Sequence, residues 1–147
     1  MLTRRAVIGA AAAAVAGGAA SSSAASPSSD EAIAVITNDA PVKRGRVTLT
    51  IPGVAENGLS VFTTVAAESP MTEKDHVKEI HIISEKNPVP IIASFFFTPA
   101  MAEAKVATNI RLAASQKVTA LAVMSDGSLW SDEKEIVVTI AACIDGG

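Results

Sequence analysis

The chain is poor in cysteine, histidine and aromatic residues. Its 147 residues include one cysteine, two histidines, one tryptophan, four phenylalanines and no tyrosine. A single cysteine cannot close an intramolecular disulfide, so the fold must depend on its hydrophobic core. His76 and His81 have no metal-ligand spacing, and no nucleophile stands beside a base in the sequence. We therefore expect no metal, no cofactor and no enzymatic activity.

Long runs of positive charge are also absent. The net charge is −3, and it becomes more negative if Arg4 and Arg5 are removed with the leader described next. A chain with this balance has no basic surface suited to a phosphate backbone. Nucleic acid is therefore not an expected partner.

The first 25 residues have the composition of an export signal. Thr3, Arg4 and Arg5 precede an uncharged stretch of small and apolar residues at 6–20. A polar residue, two arginines and an apolar stretch form the twin-arginine pattern of exported bacterial proteins. The stretch is too short and too rich in alanine to span a bilayer securely. We predict a cleaved signal over 1–25 and a periplasmic mature chain without a membrane segment; an ordinary secretory signal or a retained anchor is the alternative.

Residues 26–40 are predicted to form a linker and a short helix. The Ser-, Ala- and Pro-rich stretch at 21–29 cannot bury enough apolar surface to fold. Asp30 is expected to cap a helix of about two turns, with Ile33 and Ile36 on one face and Asn38 at its end.

From residue 41 to residue 142 the apolar residues alternate with polar ones, which is typical of β-strands. Turns are predicted at 56–58, at the Pro-rich 87–90 and at Asp126-Gly127. The predicted strands are 46–51, 59–66, 77–84, 91–97, 105–112, 118–124, 129–130 and 135–142. Short strands separated by Gly and Pro turns predict an all-β fold, an immunoglobulin-like antiparallel β-sandwich in one domain.

Cys143 is the strongest candidate for chemistry. It follows the last predicted strand and begins a short tail, residues 143–147. A thiol at such a position can be presented to other proteins, but free cysteine is also among the more buried residue types. From the residues alone, a reactive thiol and a structural cysteine remain equal alternatives.

Two further features invite a functional interpretation. Met71, Met101 and Met124 could join Cys143 and a histidine in a copper site, although methionine more often fills cores. Consecutive aromatic residues at 95–97 must direct at least one ring to the outward face of a strand. We expect a partner protein to cover that ring.

Several short segments follow one another in a characteristic order. They are Ala55-Glu56-Asn57-Gly58, Ser69-Pro70-Met71-Thr72, residues 77–82, Phe97-Thr98-Pro99, Ile110-Arg111-Leu112-Ala113 and Met124-Ser125-Asp126-Gly127-Ser128. In this combination the chain resembles the SoxY family of the Sox thiosulfate-oxidation system from about residue 30 onward.

The resemblance implies a carrier and not an enzyme. In that family the cysteine of a C-terminal arm carries sulfur intermediates, which makes Cys143 the implied site of covalent sulfur attachment. The implied partners are a second sandwich subunit, SoxZ, the c-type cytochrome complex SoxXA, the hydrolase SoxB and a sulfane dehydrogenase.

The tail departs from the family pattern, in which a Gly-Gly pair stands on each side of the cysteine. Here the corresponding residues are Ala141, Ala142, Ile144 and Asp145, and the chain ends in Gly146 and Gly147. Alanine keeps the arm slim but restricts its backbone, so a stiffer arm is expected. The alternatives to a carrier are an exported immunoglobulin-like binding module with a structural cysteine and a copper-handling protein.

Overall fold

The computed structural model describes residues 25–141, which form one helix and nine strands. Residues 1–24 of the signal predicted over 1–25, and the residues from Ala142 to Gly147, lie outside the described residues. The elements are α1 (Ser29–Thr37), β1 (Lys43–Arg44), β2 (Val47–Thr50), β3 (Val54–Asn57), β4 (Val61–Ala67), β5 (Val77–Ser84), β6 (Ile91–Phe96), β7 (Ala104–Ile110), β8 (Gln116–Met124) and β9 (Leu129–Ile140).

The strands form two sheets that pack face to face. The larger sheet has the order β1-β9-β8-β5-β6, with β3 also paired to β9, and the smaller sheet has the order β2-β4-β7. Pairings between β9, β8, β5 and β6, and those within the smaller sheet, are antiparallel. The predicted β-sandwich is therefore confirmed.

The core fills the space between the sheets. Alternate residues of each strand point inward, and the largest fully buried side chains of this core include Leu49, Ile80, Ile82 and Leu112. Ile136 and Val138 are buried while Val137 is exposed, as the alternation at 135–142 predicts.

The edge of β9 is occupied by two short strands that the sequence analysis did not predict. β1 pairs in parallel with the first half of β9, and β3 pairs in parallel with its second half. Glu56 and Asn57 belong to β3, so the prediction of a turn at 56–58 was wrong for those two residues. Parallel pairing joins segments far apart in sequence, and local periodicity carries no information about it.

β9 is one strand of 12 residues and not two separate ones. The charged run 132–135, which covers most of the gap between the two predicted strands, lies inside it. Its side chains alternate between faces: Asp132 accepts a hydrogen bond from the Leu49 N–H at 2.9 Å, and Glu133 pairs with Arg44 and Lys117.

The helix begins two residues earlier than predicted. Ser28, not Asp30, is the N-cap: its hydroxyl accepts the Glu31 N–H, and the Glu31 carboxylate accepts the Ser28 N–H. This reciprocal pair is a capping box, and Asn38 ends the helix in a left-handed conformation, as expected. α1 packs against β5 on the outer face of the larger sheet. In the described part of the chain, no helix has the length and apolar character needed to cross a membrane.

Candidate functional site at the base of the C-terminal arm

The predicted carrier arm leaves the sandwich at the end of β9. Ala141 is exposed and is the last described residue of the chain. Cys143 and the other predicted arm residues, Ala142 and 144–147, lie outside the described residues. The structure therefore describes the base of the arm, where β9 ends, and not the arm itself.

Backbone hydrogen bonds hold β9 in place up to its last residue. β3 runs parallel to it, with Asn57 in register with Ile140. The Gly58 N–H donates to the Ile140 carbonyl at 2.9 Å, and the Leu112 N–H donates to the Gly58 carbonyl at 2.8 Å. The strand is thus fixed to the sandwich immediately before the arm begins.

A serine from the neighbouring segment fixes the same strand two residues earlier. The Ser115 hydroxyl accepts the Val138 N–H at 2.8 Å and donates to the Val138 carbonyl at 3.4 Å. One side chain therefore satisfies both backbone groups of Val138, which is buried.

The segment that carries Ser115 is itself held by Asn87. The Asn87 amide donates to the Arg111 carbonyl at 2.8 Å, and its oxygen accepts the Ala113 N–H at 3.0 Å and the Gln116 side chain at 3.1 Å. Sequence analysis interpreted Asn87 only as part of a turn. The contacts make it the link between the β5–β6 turn and the base of the arm.

Exposed aliphatic side chains lie near the arm base. We call Val54, Leu59, Val137 and Ile140 the apolar rim; their exposed fractions are 62%, 47%, 55% and 64%. Val54 and Val137 are partners in the β3–β9 register, so they lie side by side. Ile140 points to the opposite face of β9 from Val137, and Glu56 is exposed on β3. The apolar rim therefore offers another protein separate apolar patches and not a closed ring.

Among the described residues, neither histidine belongs to a group that could hold a metal ion. Residues 25–141 contain no group of three or more His, Cys, Asp or Glu side chains placed to hold a metal ion. His76 Nδ1 bonds to the Thr72 carbonyl at 2.9 Å. Of the methionines proposed for copper, Met71 and Met124 belong to the hydrophobic core and Met101 is exposed.

His81 has side-chain partners that sequence analysis did not identify. Its Nδ1 lies 2.7 Å from the Ser94 hydroxyl and its Nε2 lies 2.9 Å from Glu79. The register between β5 and β6, which sets His81 opposite Ser94, brings the pair together. Ser94, His81 and Glu79 are arranged like the residues of a hydrolytic triad. That chemistry needs an enclosed site with oxyanion donors, however, and Ser94 is exposed on an edge strand.

The three consecutive phenylalanines divide between the two faces of β6 and its end. Phe95 and Phe97 pack against the core, and Phe96 is 68% exposed. The expectation that at least one ring points outward is confirmed.

Comparison with known proteins agrees with the resemblance seen in the sequence. The family model "Sulfur oxidation protein SoxY" matches residues 32–143. The sulfur carrier protein SoxY from Chlorobium limicola f thiosulfatophilum has a similar structure, with a TM-score of 0.63 and 29% sequence identity. The alignment covers 76% of this chain and 96% of that chain. No curated protein matches this sequence.

Superoxide reductases share the fold at lower identity. The enzyme (neelaredoxin) from Ignicoccus hospitalis gives a TM-score of 0.56 and 20% identity over 64% of this chain and 80% of that one. The enzyme from Nanoarchaeum equitans gives 0.55 and 18% over 65% of this chain and 100% of that one. These likenesses concern the sandwich alone. Because the SoxY model matches more than half of the sequence, and reaches Cys143, the chain belongs to the SoxY family of sulfur oxidation proteins.

Proposed function

We propose that this protein is an exported sulfur carrier, which holds thiosulfate-derived sulfur covalently on Cys143 and catalyses no step itself. The observation that carries the proposal is the SoxY family match, which extends to Cys143. The exposed end of β9, fixed as far as Ile140, supports it, because a carrier arm needs a firm base and a free continuation.

The chemistry needs three partners. In the first step, SoxXA joins the Cys143 sulfur to thiosulfate through a new S–S bond, and the thiol proton and two electrons leave, the electrons to the cytochrome. In the second step, SoxB adds water across the terminal S–S bond and releases sulfate, which leaves a persulfide on Cys143. A sulfane dehydrogenase then oxidises the outer sulfur of the persulfide, with oxygen taken from water, protons released to solvent and the electrons passed to that enzyme's own electron acceptor. Only the thiol of this chain takes part.

The length of the arm suits delivery to these enzymes. Cys143 is three residues beyond Ile140, a reach of about 10 Å when extended. The small side chains of Ala141, Ala142, Gly146 and Gly147 keep the arm slim enough for a narrow active site. The apolar rim near the base gives each enzyme a surface to contact during the visit.

The altered tail has an electrostatic consequence. Asp145 lies close to Cys143 in sequence, and its negative charge disfavours both the thiolate and an anionic cargo. A cation on the loading enzyme must therefore offset this charge during transfer.

The cell location and the stable partner follow from the same proposal. The twin-arginine leader takes the folded chain to the periplasm, where the Sox reactions occur. There it forms a heterodimer with a SoxZ-like β-sandwich subunit.

The proposal is tested by the intact mass of the mature protein, purified from periplasm and measured before and after a mild reductant. We expect a mass increment of thiosulfonate or persulfide sulfur that the reductant removes. The matched control is the Cys143→Ser variant, which must lack the increment.

Two results would contradict the carrier role. One is a single unmodified mass together with a thiol that alkylates only after denaturation, which would make Cys143 a structural cysteine. The other is copper bound stoichiometrically and lost in Cys143→Ser.

A further inference from the structure

β6 is an open edge of the larger sheet. It pairs with β5 on one side and is the last strand on that side within residues 25–141. The Phe97 N–H donates to the Lys78 carbonyl at 2.8 Å. In an antiparallel ladder the bonded pairs alternate, so Phe95 faces Ile80 as the next bonded pair. The backbone N–H and C=O groups of Ser94 and Phe96 therefore point away from β5, toward the open side.

This edge lacks the charge that usually protects an exposed strand. No charged residue occurs between Lys86 and Glu103. Natural proteins protect exposed edges with charges, prolines or covering segments, because an apolar edge with free backbone groups recruits another strand.

The other edges of this sandwich are protected. β1 and β3 cover β9. Asp132 accepts the Leu49 N–H at the edge of β2. β7 presents an exposed lysine, Lys105. β6 differs from all three, which indicates that its edge is covered in the working protein.

The exposed ring of Phe96 is held in one orientation. It meets the His81 ring edge-on, with centroids 6.4 Å apart and planes at 90°. His81 is itself buried and fixed by Ser94 and Glu79. An aromatic side chain that is exposed yet already ordered loses little entropy on binding, which is characteristic of interface hot spots.

From these observations we propose that β6 is the docking edge for the partner subunit of the carrier. The partner adds an edge strand of its own sandwich to β6, so that one sheet continues through both subunits. The outward backbone groups of β6 can pair only with an extended strand of the partner. Because β6 is uncharged, that strand should be uncharged too, and the partner should have an apolar recess that receives Phe96. This inference rests on the proposed function, in which the partner is a SoxZ-like subunit.

The first test is the affinity of the mature chain for the SoxZ subunit of the same organism, measured by titration calorimetry. Phe96→Lys should weaken binding about thirtyfold, the loss expected for a central aromatic anchor. Phe62→Lys is the matched control, because Phe62 is 62% exposed on β4 of the smaller sheet. It should bind like the wild type.

A second pair of variants tests the backbone pairing. Ser94→Pro removes an outward N–H without touching the β5 ladder, and proline is tolerated at a strand edge. Ser94→Ala removes the hydroxyl but keeps the N–H. Both variants lose the hydroxyl that contacts His81, so the contribution of the N–H is the difference between them. We expect Ser94→Pro to bind at least tenfold more weakly than Ser94→Ala. Far-UV circular dichroism and thermal unfolding show whether each variant is folded.

Amide hydrogen exchange gives a result that needs no substitution. The N–H groups of Ser94 and Phe96 should exchange more slowly in the complex than in the free chain. Unchanged exchange at both amides in a formed complex would overturn the inference. So would equal weakening by Phe96→Lys and Phe62→Lys, no binding of SoxZ by the wild-type chain, or pairing of β6 with a second copy of this chain.

The two proposals can fail separately. A sulfur adduct on Cys143 without the β6 effects leaves the carrier function standing and removes the docking edge. A β6 interface without a sulfur adduct on Cys143 supports the docking edge and contradicts the carrier function.

Discussion

At the scale of single residues, short polar side chains shape the turn that joins β8 to β9. Asp126 stands in the turn between β8 and β9, where Gly127 has a φ of 82°. Its carboxylate accepts hydrogen bonds from the Ser128 hydroxyl at 2.6 Å and the Ser128 N–H at 2.8 Å. These bonds, the hydroxyl first, hold the pKa of Asp126 below its ordinary value.

The Ser128→Ala variant should raise the pKa of Asp126 toward its ordinary value, because the larger of the two causes is removed. A folded pKa below the unfolded one contributes stability above the unfolded pKa, and that contribution is lost as the pH falls through the folded pKa. NMR titration of the Asp126 carboxyl measures the shift. Ser125→Ala, which removes a neighbouring hydroxyl that bonds to His76 and Lys74 instead, is the control and should leave the pKa unchanged.

At the scale of elements, the capping box decides where α1 begins. Sequence reasoning located the helix but assigned Asp30 as its N-cap. Serine and aspartate are both favoured at that position, so residue type alone does not distinguish Ser28 from Asp30. The reciprocal bonds between Ser28 and Glu31 favour the earlier start. Asp30 instead lies in the first turn, where its charge interacts with the helix dipole.

Ser28→Ala should therefore cost about 1 kcal/mol of helix stability, whereas Asp30→Ala should cost about 0.5 kcal/mol or less. The readout is amide exchange in α1, which reports opening of this element alone. A larger effect of Asp30→Ala than of Ser28→Ala would contradict the assigned cap.

At the scale of the whole molecule, Asp132 joins the two sheets. It lies on β9 of the larger sheet and accepts the Leu49 N–H from β2 of the smaller sheet at 2.9 Å. Its second oxygen accepts the Glu133 N–H at 2.9 Å. The loss of this carboxylate would leave a part-buried N–H without its acceptor.

Asp132→Ala should lower the free energy of unfolding by about 2 kcal/mol, the cost of an unpaired buried donor. Asp132→Asn keeps a carbonyl acceptor and should cost less. Glu135→Ala, at an exposed position on the same strand, is the control. Urea denaturation measures all three, and an Asp132→Ala value equal to the control would show that the link contributes nothing.

The sequence by itself determined the fold class and most strands, because alternation of apolar residues is a local signal. It also determined the family, through the short segments that resemble SoxY. β5 occupies the predicted residues 77–84, and the Asp126-Gly127 turn joins β8 to β9 as expected. Only the tertiary structure decided that β1 and β3 close the edge of β9, that Asn87 and Ser115 support the arm base, and that His81 meets Ser94. These features depend on contacts between distant segments, and the register that creates them is set by packing of the whole sandwich.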